Sequence, residues 1–90
     1  MASIKIPTPL RSLTNDEDTV VANAPNLAEL IAKMENSYPG IAERLLDENN
    51  ELRRFVNIFI NGEDVRFLEG LDSPLEDSDE ISIVPAVAGG

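Results

Sequence analysis

The sequence predicts an α+β domain, a mixed sheet packed on one main helix with an extended tail leaving the last strand. Three observations lead there. One amphipathic segment, residues 26–38, has helical spacing, and strand-like segments flank it on both sides. The 90 residues are 42% apolar, enough for one core and too few for two. Gly89-Gly90 closes the sequence behind a small apolar lead-in, Ala86-Val87-Ala88. Glycine is an entropic burden inside packed structure, so a terminal pair suits reaching better than packing.

Ser3-Ile4-Lys5-Ile6 alternates polar and apolar residues as a half-buried strand does, and Pro7 and Pro9 end it. Residues 14–18 make a polar turn. Thr19-Val20-Val21-Ala22 follows as a second strand, hairpin-paired with the first. The main helix begins at Asn26, with Glu29 three residues later in the spacing of a capping box. Leu27, Leu30, Ile31 and Met34 share one helical face, Tyr38 follows a turn later, and Pro39-Gly40 stops the helix. Ile41 to Leu46 reads as a shorter helical turn, and residues 47–51 as a solvated loop. Phe55 to Ile60 is the strongest strand. Asn61-Gly62 is a hairpin turn pair, so Val65-Arg66-Phe67 is expected to return as the next strand. Pro74-Leu75 sits in an acidic loop, and Ile81 to Val84 forms the last strand, ended by Pro85.

A hairpin, a helix crossing the sheet face, then further strands describe the β-grasp, or ubiquitin-like, arrangement. In it the last strand pairs in parallel beside the first, through the right-handed crossover that such connections favour. The domain is expected to span residues 1–86, with residues 87–90 as a flexible reactive tail.

Composition excludes much. Cysteine and histidine are both absent, which removes disulfides, thiol nucleophiles, Cys/His zinc sites and Ser-His-Asp triads. Side-chain catalysis, a metal site and a bound cofactor are therefore not expected. Seven basic against 17 acidic residues give a net charge of −10. Nucleic-acid backbones and anionic membranes repel such a chain, so neither is an expected partner. The charge suits docking on basic protein surfaces, or serves solubility alone. No signal-peptide pattern opens the chain, and no apolar stretch approaches the ~20 residues of a membrane span. A cytoplasmic protein is expected.

The acidic stretch from Asp72 to Glu80 lacks the central glycine and distant bidentate Glu of a calcium loop, so a solvated loop is the better reading. The carboxylate pairs Glu63-Asp64 and Asp79-Glu80 read as turn chemistry, because neighbouring side chains tend to diverge. More informative is strand alternation. If Val56, Ile58 and Ile60 face the helix, then Phe55, Asn57 and Phe59 face the other way, and Val84 points out while Ile81 and Ile83 point in. Phe59 and Val84 would then form an apolar patch beside the departing tail, a candidate docking surface with acidic residues at its rim. The tail itself is the strongest signal. Two residues without Cβ thread a narrow channel, and Val87, Ala88, Gly89 and Gly90 together extend about 13 Å. The expected working group is the α-carboxylate of Gly90, with Gly89, Ala88 and Val87 as the segment a partner grips.

Several segments carry a resemblance that runs essentially from end to end. They are Tyr38-Pro39-Gly40-Ile41-Ala42-Glu43-Arg44-Leu45, Arg54 to Asn61, Asp64-Val65-Arg66-Phe67, and Val84-Pro85-Ala86-Val87-Ala88-Gly89-Gly90. In these the chain resembles the MoaD/ThiS family of ubiquitin-like sulfur carriers, and within it most resembles the CysO-type carriers of cysteine biosynthesis. Molybdopterin-synthase small subunits more often end Pro-Pro-Val-Ser-Gly-Gly, whereas this chain keeps Pro85 but has Ala86 and Ala88. The resemblance implies a carrier without turnover of its own. A partner resembling ubiquitin-activating enzymes, an adenylyltransferase and sulfurtransferase, would consume ATP to adenylate Gly90, and sulfur would displace AMP to leave a thiocarboxylate. A PLP-dependent cysteine synthase would accept that sulfur. The cysteine left amide-linked to Gly90 would then be released by a metallopeptidase. Three alternatives stay open: the small subunit of molybdopterin synthase, a ubiquitin-like protein modifier, and an acidic interaction domain with an incidental Gly-Gly.

Overall fold

Alternation in the first strand and a polar turn build the opening hairpin of the computed structural model, which describes residues 1–85. Strand β1 (Ala2–Lys5) runs antiparallel to β2 (Thr19–Ala22), with Ile4 opposite Val20. The linking segment is more ordered than its prolines suggest. Thr8–Leu13 forms a 3₁₀ turn with proline at its start, which sends Leu10 into the core. Thr14 is fully buried, and its hydroxyl donates to the Glu17 carbonyl at 2.9 Å.

Helix α1 (Leu27–Ser37) starts where its cap predicts: Asn26 Oδ1 accepts the Glu29 N–H at 2.9 Å. Leu27, Leu30, Ile31 and Met34 are buried along one face. At its end Gly40 takes φ 102°, a conformation that side chains disfavour, and the chain turns into the short helix α2 (Ile41–Leu45). Ile41 and Leu45 join the same core.

Strand β3 (Val56–Ile60) is followed by the Asn61-Gly62 turn, both residues at positive φ (51° and 87°) as a two-residue hairpin of the primed type requires. The returning strand β4 is only Glu63–Asp64. The expectation of a strand at Val65–Phe67 is corrected: these residues form a 3₁₀ turn. Asp64 Oδ1 accepts the Arg66 N–H at 2.8 Å, and Val65 is fully buried. This local cap together with the burial overrides the strand preference of a Val-Arg-Phe run.

Strand β5 (Glu80–Pro85) continues one residue further than its proline suggested, with Pro85 opposite Val56. It lies parallel to β1, Ile4 opposite Ile81, and antiparallel to β3, Ile58 opposite Ile83. The sheet order is β2-β1-β5-β3-β4. The last strand therefore pairs in parallel beside the first, as the β-grasp arrangement requires. Ile4, Ile58, Ile81 and Ile83 of the sheet pack with Leu27, Leu30 and Ile31 of α1 in one core, and among the described residues the other sheet face has no helix layer.

Candidate functional site at the tail exit

β5 delivers the chain to its last described residue, so its parity decides what surrounds the departure point. Ile81 and Ile83 point into the core, while Val84 on the open face is 44% exposed. Val84 lies opposite Asn57, and Phe59 lies opposite Ser82, which makes Phe59 and Val84 diagonal neighbours across β3 and β5. Phe59 is on the open face as the alternation predicts, but it is only partly exposed. Phe55, immediately before β3, is 51% exposed and offers more free ring than Phe59. Val87, Ala88, Gly89 and Gly90 lie outside the described residues.

The rim of this region carries basic residues as well as the acidic ones expected. Arg53 and Arg54 precede β3, opposite whose first residue Pro85 sits. The Arg66 guanidinium lies along the same strand. Its Nη1 donates to Asn57 Oδ1 at 2.7 Å, and Nη2 donates to the carbonyls of Arg53 and Val56 at 2.8 and 2.9 Å. Arg53 Nε in turn donates to the Glu43 carbonyl at 3.0 Å, tying the strand entry to α2. On its β3 side the exit is therefore apolar with charges of both signs beside it, the Arg66 guanidinium along β3 and Asp64 directly opposite Phe59. Sequence reasoning assigned Arg66 no such part. The Asp64-Val65-Arg66 run did signal the local turn, since an Asp two residues ahead of a backbone N–H is a capping pattern, but not the reach of the guanidinium.

The carboxylate pairs resolve into turn chemistry. Asp79 is buried, with one oxygen accepting from Asn61 Nδ2 at 2.9 Å and the other from the Glu76 N–H at 2.8 Å. This locks the loop before β5 to the β3–β4 hairpin, at the opposite end of β5 from the tail. At the α1–α2 junction the Glu35 carboxylate accepts from the N–H groups of Ala42 at 2.9 Å and Gly40 at 3.1 Å. Those two bonds, Ala42 first, hold its pKa below the ordinary value. Among the described residues, no group of three or more metal-ligating side chains is placed to hold an ion. No helix among them is long and apolar enough to cross a membrane.

The sequence pattern of the ThiS family matches residues 4–90, nearly the whole chain including the glycine pair. The chain belongs to the ThiS family. Sulfur carrier protein CysO of Mycobacterium tuberculosis is 46% identical over 90 residues, which cover 98% of this ThiS-family chain and 97% of that protein. A chain of the Amycolatopsis orientalis BexX/CysO complex superposes with a TM-score of 0.94 at 42% identity, with both chains covered completely. Small archaeal modifier protein 1 of Methanosarcina acetivorans superposes with a TM-score of 0.85 at 29% identity, covering 99% of this chain and 95% of that one. The ubiquitin-like β-grasp fold expected from the order of elements is the fold these structures share with the ThiS-family chain.

Proposed function

We propose that this protein is a sulfur carrier for cysteine biosynthesis, and that the α-carboxylate of Gly90 is the atom group that carries the sulfur. One observation bears most of the weight: a glycine pair that closes the sequence just beyond the strand end at Pro85, in a ThiS-family chain 46% identical to a sulfur carrier protein over almost its full length.

A free carboxylate is a poor electrophile. In this reading the Gly90 carboxylate attacks the α-phosphorus of ATP on an activating partner, releasing pyrophosphate and leaving an acyl adenylate. A sulfur nucleophile then attacks the acyl carbon and AMP departs, so the terminus ends as a thiocarboxylate. Its sulfur is anionic at neutral pH, whereas an ordinary thiol is so only in part. It would form a C–S bond at the β-carbon of an activated serine derivative on a PLP-dependent synthase, where the bond to the activating group is lost and that group departs with the electron pair. An S-to-N acyl shift leaves cysteine amide-linked to Gly90, and a metallopeptidase hydrolyses that bond. The carrier supplies reach and a reactive end, and catalysis belongs to its partners. Absence of cysteine supports this division, since no internal thiol competes for the activated terminus. An ATP-consuming cycle supports a cytoplasmic location.

Docking is assigned to the open face at Phe55, Phe59 and Val84, from which the tail reaches into the partner's site. A second reading, a protein modifier joined through Gly90 to lysines, draws on the likeness to small archaeal modifier protein 1. Both begin with the same activation, so the product discriminates. When the tagged protein is purified from its native cell, the carrier reading expects free protein bearing thiocarboxylate or a single cysteine. A ladder of covalent protein adducts would transfer the assignment to the modifier.

A further inference from the structure

The two edges of the sheet are finished differently. At the β4 edge only two residues pair with β3, and beyond them the Arg66 guanidinium occupies the outward carbonyls of Val56 and Arg53. That edge is closed. β2 forms the other edge, and among the described residues no strand lies beyond it. Its residues, Thr19-Val20-Val21-Ala22, include no proline and no charge, the usual devices that blunt an edge.

The direction of its free groups follows from one bond. The Asp18 carbonyl accepts from the Ile6 N–H at 2.8 Å, so residue 18 faces β1. Alternation turns Val20 and Ala22 the same way and points the N–H and C=O of Thr19 and Val21 outward. Asn23 is next in the outward series, and its carbonyl accepts from the Lys33 ammonium, which closes the free run there. Alongside, β2 and α1 leave a groove of about 510 Å³ whose lining includes Val20, Val21, Ala22, Met34 and Tyr38. Val21 is 56% exposed beside it. Three exposed acidic residues, Asp16-Glu17-Asp18, lead directly into the free edge, and the Tyr38 hydroxyl donates to Glu17 Oε2 at 3.5 Å.

We propose that the β2 edge and the β2–α1 groove form a strand-addition site for an extended segment of a partner protein. Outward backbone groups give such a segment main-chain hydrogen bonds, and the groove takes its alternate apolar side chains. Charge complementarity requires basic residues at the end beside Asp16, Glu17 and Asp18. A second copy of this chain would bring another −10 to the same edge and is the poorer occupant. β1 separates the site from β5, so a segment bound here leaves the tail-bearing strand uncovered.

The test uses the full chain, ¹⁵N-labelled and titrated with an acetylated, amidated peptide of two lysines followed by valine-serine-valine-serine-valine. The amides of Thr19 and Val21 should shift and gain exchange protection, and affinity should fall as salt rises. Val21→Pro removes an outward N–H without taking a bond from β1, so the fold survives and affinity should drop by about tenfold. Asp18→Lys should weaken binding severalfold and flatten its salt dependence. Absence of shifts at millimolar peptide, shifts centred on Phe59 and Val84, or unchanged affinity in Val21→Pro would each overturn the proposal. A concentration-dependent dimer that protects Thr19 and Val21 without peptide would assign the edge to a second copy instead.

Discussion

Phe59 carries the clearest consequence at the scale of single residues. Most of its ring is already buried in the free protein, so only the smaller remainder is available for docking. Full burial of a Phe side chain is worth roughly 1.5–3 kcal/mol, which leaves about 0.5 kcal/mol for the interface. Phe59→Ala should therefore raise the Kd for the activating enzyme by about two- to threefold while the chain stays folded. Calorimetric titration of the folded variant checks this, and wild-type affinity would move the docking surface away from Phe59. The facing of this residue was legible because β3 alternates strictly, Val56, Ile58 and Ile60 inward and Phe59 outward. Its degree of exposure was not, since period-two alternation specifies a face and says nothing of what packs beside it. The same limit hid Arg66. A positively charged residue in a Val-Arg-Phe run gave no hint that its guanidinium would satisfy two backbone carbonyls of a neighbouring strand.

Elements were read well where a backbone requirement was written into residue type. Asn61-Gly62 supplies the two positive φ angles of a two-residue hairpin, and Asn26 supplies the cap of α1. They were misread where a tertiary contact decided, as at Val65–Phe67, where burial of Val65 and the Asp64 cap replaced a strand with a turn. The α1–α2 junction has a measurable consequence of the same kind. Glu35 accepts N–H groups at the start of α2, and these bonds depress its pKa below the ordinary 4.5. A depressed carboxylate pKa contributes stability that is complete above the unfolded-state value and is lost as pH falls through the folded-state value. Glu35→Gln should consequently lower the thermal midpoint at pH 7, and the difference from wild type should shrink progressively below about pH 4.5. Thermal melts across pH 3–7 check it; a difference that persists unchanged at pH 3 would detach the effect from ionisation.

For the whole molecule, element order was enough to anticipate the sheet topology, and the family was anticipated from the resemblance of residues 38–45, 54–61, 64–67 and 84–90. The parallel β1–β5 pairing follows from a hairpin, a crossing helix and a last strand that must bury Ile81 and Ile83. The distribution of charge was not legible in this way. A net −10 gives the sign of the average field, but the fold lays the Arg66 guanidinium along β3 near the tail exit, with Asp64 opposite Phe59. Steering should then act through the long-range acidic field, with Arg66 as a local cation at the docking face. All of this serves one reactive end, and the account stands or falls with the chemistry of Gly90. The most direct measurement is the intact mass of the chain after incubation with its activating enzyme, ATP and a sulfur donor. The account predicts a gain of about 16 Da from exchange of oxygen for sulfur, located in the C-terminal peptide and absent from a chain lacking Gly89 and Gly90. An unchanged full-length mass, or the same gain in the truncated chain, would contradict it.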